Sequence, residues 1–155
     1  MSSDVHTELV EFLSGSGRDA RGRRLNEILA FSDEDLEAHH DFIQWLFPLD
    51  SPSAAVPGSP VLSRKEIEAI RACEPCQFNL KRSAERMARF YTKNDHWLVP
   101  TNHNHLRITR IVRSLKLLVG RQDAEDFLNA IMRRVGQPNL RVSETSLRYW
   151  REALD

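Results

Sequence analysis

His103-Asn104-His105-Leu106-Arg107-Ile108-Thr109-Arg110-Ile111-Val112-Arg113-Ser114-Leu115-Lys116-Leu117-Leu118-Val119-Gly120 is the stretch that decides the fold. Leu106, Ile108, Ile111, Val112, Leu115, Leu118 and Val119 recur at helical spacing, with no period-two alternation. Asn102 or Asn104 can cap the start, and Gly120 can close the helix as the residue beyond its last turn. So many apolar positions predict a central helix with neighbours on more than one side.

Working outward, the same periodicity continues. Downstream, Phe127, Leu128, Ile131 and Met132 mark a helix over 122–135 closed by Gly136, and Ser143 opens a last one carrying Leu147, Tyr149, Trp150 and Leu154. Upstream, Thr92 to Asn102 is a polar loop anchored by Trp97, Leu98 and Val99. Pro75 stands at the first position of a helix bearing Leu80, Ala84, Met87, Ala88 and Tyr91. Ser63-Arg64-Lys65-Glu66 is a capping box, a hydroxyl and a carboxylate that can satisfy each other's free amides. The segment 49–60, with three prolines, is a loop. Ser32 is an N-cap followed by Asp33, Glu34, Asp35 and Glu37, where the helix dipole favours negative charge. From there Leu36, His39 or His40, Ile43, Leu46 and Phe47 predict one continuous helix as far as Pro48. Val5, Leu9, Phe12 and Leu13 line a first helix that stops at Ser14-Gly15-Ser16-Gly17. A mobile, arginine-rich stretch from Arg18 to Arg24 leads to a short segment with Leu25, Ile28, Leu29 and Phe31. The expectation is all-α: one compact orthogonal or antiparallel bundle of about six to seven helices in a single domain over 1–155, its N-terminal helix in 1–11.

Composition narrows the class. The 155 residues are 41% hydrophobic and 28% charged, which suits a globule with a core and excludes a disordered chain. The formal net charge is +0, but it is unevenly spread. Residues 1–80 carry 7 Lys+Arg against 14 Asp+Glu, whereas residues 81–121 carry 10 against 2. An acidic half folding against a basic middle explains this without a partner; a basic face for an anion is the alternative. No run is long and apolar enough to span a membrane, and Met1-Ser2-Ser3-Asp4-Val5-His6 lacks the features of a signal peptide. With Cys73 and Cys76 the only cysteines, a disulfide scaffold is excluded and a reducing, cytoplasmic setting is expected. A redox Cys-x-x-Cys belongs after a strand and a zinc site needs two more ligands, so the pair reads as a helix–helix junction.

Chemistry-bearing motifs are few. His6, His39, His40, His96, His103 and His105 come without HExxH or a carboxylate cluster, and satisfied structural roles fit them better than metal ligation. No nucleophile elbow, phosphate loop or dinucleotide fingerprint occurs, so no catalytic residue, cofactor or metal is expected. Arg107, Arg110, Arg113 and Lys116 form an oblique basic stripe. Its first two members fall among apolar residues and need a carboxylate or carbonyl partner if buried; the rival is a nucleic-acid contact through the helix 106–119. Phe42-Ile43-Gln44-Trp45-Leu46-Phe47-Pro48 is apolar on almost every side and should be buried all round or meet a partner.

Leu36-Glu37, His40 and Ile43-Gln44-Trp45-Leu46-Phe47-Pro48, followed by His103 to Ile111 and Ser114-Leu115, resemble the two signatures of the opioid growth factor receptor conserved region family. Phe90-Tyr91, with Thr92 where the family often has Gly, and Ser146-Leu147 with Tyr149-Trp150 are weaker echoes, and the resemblance runs from about 12 to 150. It implies a non-enzymatic, receptor-like domain for a peptide or protein ligand. Animal members are described as receptors for an enkephalin-type opioid peptide at the nuclear envelope. On this reading the two signature helices pack together, and His40, Gln44, Trp45, His103, Asn104, Arg107 and Arg110 are the candidate binding residues.

Overall fold

Several helices begin at a side-chain cap. The structure, a computed structural model, describes residues 6–53, 56–136 and 141–155; Val5, expected on the first helix, lies outside them. Nine α-helices occur among the described residues: α1 (Glu8–Ser14), α2 (Leu25–Leu29), α3 (Asp33–Ala38), α4 (Ile43–Leu46), α5 (Arg64–Arg71), α6 (Glu74–Lys93), α7 (His103–Leu118), α8 (Arg121–Val135) and α9 (Glu144–Glu152). The hydroxyls of Ser32, Ser63 and Ser143 accept from the amides three residues on, and Glu66 completes the capping box of α5. No strand occurs among the described residues; the one extended pairing is an isolated parallel bridge between Leu49 and Val61. The chain divides within α6 into two compact units, 1–83 and 84–155.

In the first unit α1 packs against α4 and α5. Leu9, Val10, Phe12 and Leu13 form its buried face, with the Phe12 ring edge-on to Trp45 at 5.4 Å. Polar ties fix its position. The Thr7 hydroxyl donates to Glu66 Oε2 at 2.6 Å, and Asn79 Nδ2 donates to the Leu13 carbonyl at 2.8 Å. Glycine ends the helix for two separate reasons. Gly15 adopts φ 96°, a left-handed cap that returns its amide to Phe12 at 3.0 Å. At Gly17 a Cβ would stand 2.8 Å from Glu11 Cβ and 2.9 Å from backbone atoms of Glu11 and Phe12.

Two expectations are corrected in this unit. The stretch from Arg18 to Arg24 is not a loose linker, because Asp19 gathers it. Its buried carboxylate accepts from the Arg21 and Arg23 amides, both at 2.9 Å, and from Arg23 Nε at 2.8 Å. The helix expected to run unbroken from Ser32 to Pro48 is interrupted between α3 and α4, and His39 is extended there. Asp41 is held by Arg23 at 3.0 Å and Arg21 at 3.4 Å, and the buried Phe42 ring meets Phe31 edge-on at 6.1 Å. These tertiary contacts outweigh the helical periodicity. Beyond the break every residue from Phe42 to Pro48 is buried, as the all-round apolar pattern predicted, and so is Leu49, the first residue of the expected loop.

In the second unit α7 is central, packing against α8 and α9. Asn102 is the cap, accepting the Asn104 amide at 2.9 Å, and the Asn104 side chain turns inward. Ile108, Ile111, Val112, Leu115 and Leu118 are its buried stripe. Leu106, counted with that stripe from sequence, is instead 70% exposed.

Candidate functional site

The first turns of α7 and α9 are held side by side by a buried aromatic and imidazole cluster. Trp97 Nε1 donates to the carbonyls of Asn94 at 2.8 Å and Tyr91 at 3.1 Å, and its ring stands edge-on to Tyr91 at 5.3 Å. Trp150, wholly buried on α9, donates from Nε1 to the His105 carbonyl at 2.9 Å and packs on the imidazole at 5.5 Å. The Ser143 amide reaches the Pro100 carbonyl at 3.2 Å, tying the loop before α7 to the cap of α9.

His105 is the polar centre of this arrangement. Its Nε2 lies 2.8 Å from the Trp97 carbonyl, which can only accept, so that nitrogen carries the proton. Nδ1 is then the acceptor, and the Ser146 hydroxyl, 2.8 Å away, donates to it. Burial lowers the His105 pKa, with the Trp97 carbonyl opposing it in part, so the ring is held neutral. With both nitrogens engaged, the imidazole orients Ser146.

Above this cluster the two helix starts enclose an open cleft of about 600 Å³. His103, Leu106 and Thr109 line one wall from α7, and Thr145, Ser146 and Tyr149 the other from α9. Leu106 is 70% and Tyr149 50% exposed. The cleft therefore offers two large apolar surfaces to solvent among hydroxyl and imidazole groups. That combination suits a ligand with apolar side chains and a polar backbone.

The candidates named from sequence fall into different settings. His40 is exposed between α3 and α4, as is His39, so neither continues an apolar stripe. Gln44 is buried in α4, and its Oε1 has no hydrogen-bond partner among the described residues. Trp45 is buried against Phe12. His103 is exposed and lines the cleft. Asn104 is fully buried, accepting from the Tyr91 hydroxyl at 3.0 Å and donating to Asn102 Oδ1 at 3.0 Å. Arg107 is buried, and Arg110 is half-buried with its pKa lowered to about 10 by burial and by the nearby charge of Arg113. The basic stripe thus does not surface as a row: Arg113 is exposed, while Lys116 donates to the Asp155 carbonyl. Sequence reasoning missed Thr109 and Thr145 as cleft residues. Leu106, Ser146 and Tyr149 carry no site signal in the sequence, because period alone cannot show two helix starts meeting. Among the described residues, no group of three or more His, Cys, Asp or Glu side chains could hold a metal. None of the helices is long and apolar enough to cross a membrane, again among the described residues.

Residues 24–96 match the model of a family described as the opioid growth factor receptor conserved region. The chain is 36% identical over 98 residues to the opioid growth factor receptor of Rattus norvegicus, covering 52% of this chain and 17% of that protein. It is 37% identical over 98 residues to the Mus musculus receptor, with 52% and 15% covered. To the Homo sapiens receptor it is 34% identical over 101 residues, with 52% and 14% covered. The chain thus matches less than a fifth of the length of these curated relatives. No solved structure matches it.

Proposed function

We propose, on the premise that residues 24–96 belong to the opioid growth factor receptor conserved region family, that this protein is a non-catalytic, receptor-like module that binds a peptide segment in the α7–α9 cleft. The observation that carries the reading is the open cleft itself, with Leu106 and Tyr149 exposed on opposite walls. An open cleft with large apolar side chains on both walls and a few hydroxyl and imidazole groups among them is the arrangement expected of a binding site. His103 is assigned a contact with the peptide backbone, and His105 and Ser146 fix the floor. Asn104 and Arg107, both buried, belong to the frame. His40, Gln44, Trp45 and Arg110 remain binding candidates on the resemblance. A reducing, cytoplasmic location goes with this reading and is checked by cell fractionation.

Titration with an enkephalin-type opioid peptide, and then with a peptide array, followed by amide NMR, tests the proposal. Shifts concentrated in α7 and α9, and a loss of affinity of about tenfold or more in Leu106→Ala and Tyr149→Ala, are expected. Both side chains are exposed, so these variants keep the fold. Binding that both variants retain at full strength would refute the cleft as the site.

One feature favours an anion-binding alternative: residues 84–155 carry 13 Lys+Arg against 8 Asp+Glu, a net of +5. Gel shifts with duplex DNA decide it. A complex at low salt whose affinity falls steeply with added salt would support it, and no complex at low salt would end it.

A further inference from the structure

Cys73 and Cys76 are brought together at the junction of α5 and α6. Cys73 closes the turn out of α5, its amide reaching the Ile70 carbonyl at 3.2 Å, and its own carbonyl accepts the Gln77 amide at 2.9 Å as α6 begins. Its sulfur faces the start of that helix and accepts the Cys76 amide at 3.2 Å. The two Sγ atoms are 2.6 Å apart, with the Cys73 thiol donating to Cys76. Cys73 is partly exposed, whereas Cys76 is fully buried and directs its sulfur toward the Val10 carbonyl at 3.7 Å. The α5–α6 turn, with Glu74 rather than Pro75 opening the helix, is what sets the sulfurs face to face. The sequence alone points away from this pairing, because a redox Cys-x-x-Cys is expected after a strand and none precedes Cys73.

We propose that Cys73 and Cys76 form a reversible intramolecular disulfide by exchange with a low-molecular-weight disulfide, with Cys73 as the entry sulfur and Cys76 as the resolving one. Cys73, losing its proton to water, attacks one sulfur of the small disulfide. That S–S bond breaks and one small thiolate leaves and is protonated. The Cys76 thiol then gives up its proton and attacks the Cys73 sulfur, and the second small thiolate departs. Two protein thiols are oxidised and one small disulfide is reduced to two thiols. Burial and the neighbouring Cys73 push the Cys76 thiol pKa up, so Cys76 waits as a thiol until Cys73 is engaged. Forming the bond removes the S–H that points at Val10, so the state of the pair is felt by α1.

The full chain is incubated in reduced and oxidised glutathione mixtures, quenched with an alkylating agent and weighed. The wild type is expected to lose the mass of two hydrogens, to take up no alkyl group and to stay monomeric on a non-reducing gel. Peptide mapping places the link between Cys73 and Cys76. Cys76→Ser should trap one glutathione on Cys73, while Cys73→Ser should react slower by on the order of tenfold or more because the remaining thiol is buried. A wild type that ends as a stable glutathione adduct, as an intermolecular disulfide or unreacted overturns the proposal. So does a folded Cys73→Ser that reacts as fast as Cys76→Ser. The wild-type mass and peptide map decide the matter even if a variant fails to fold.

Discussion

Gln44 and His105 show how one buried polar group behaves with and without partners. The Oε1 of Gln44 is buried without a hydrogen bond among the described residues, and such an atom costs about 1–3 kcal/mol in desolvation. Gln44→Met, similar in shape and without that oxygen, is expected to raise the denaturant midpoint or leave it unchanged; a clear drop would mean the amide is satisfied in solution. His105 has both ring nitrogens bonded, and its lowered pKa ties stability to pH. The unfolded chain takes up its proton near pH 6.5, before the folded one does. The stabilisation is therefore complete above about pH 6.5 and is lost as pH falls from there to the folded pKa. Melting temperatures measured between pH 8 and 5 should decline on the acid side, and His105→Asn should flatten that slope. Gly17 acts by steric exclusion. Ala there would press on backbone that no rotamer change relieves, and a loss of about 1–3 kcal/mol is expected by chemical denaturation.

At the scale of elements, single carboxylates bind helices and loops to each other. Glu66 accepts from the Ser63 amide at 2.9 Å with one oxygen and from the Thr7 hydroxyl with the other, so one side chain caps α5 and docks α1. Asp19 does the same for the loop before α2, and Arg23 extends that network to Asp41. Burial disfavours the charge on Arg23, but its bonds to Asp19 and Asp41 outweigh this and raise its pKa. Burial likewise works against the Asp41 carboxylate, and Arg23 and Arg21 reverse it and lower the pKa. Asp41 thus contributes stability above the ordinary carboxylate range and loses it as pH falls through its folded pKa. Arg23→Met removes the counter-charge of the buried Asp19 carboxylate and leaves it only the Arg21 and residue-23 amides. A destabilisation of about 3–5 kcal/mol is expected in equilibrium unfolding, and a loss under 1 would show that water replaces the guanidinium. These ties also explain what was legible. Ser32, Ser63 and Ser143 were readable as caps because a cap acts over three residues. The break between α3 and α4 was not, since its causes, Arg21 and Arg23 for Asp41 and Phe31 for Phe42, lie outside that window.

For the whole molecule, the sequence expectation that the two signatures meet is open to a double-mutant cycle. If Gln44 and Arg107 share a junction, Gln44→Ala and Arg107→Ala should couple by about 0.5–3 kcal/mol; additivity within about 0.5 would make them independent. The all-α class, the central place of α7 in its unit and the burial of residues 42–48 were readable from the chain alone. Apolar period and capping chemistry are local properties that the chain carries whatever its neighbours do. Tertiary structure alone decided that Leu106 faces solvent, that Ser146 meets His105, that the starts of α7 and α9 frame a cleft and that two cysteine sulfurs touch at a helix junction. Each depends on where a turn directs the next helix. That direction is set by contacts between residues far apart in sequence, which no local period encodes.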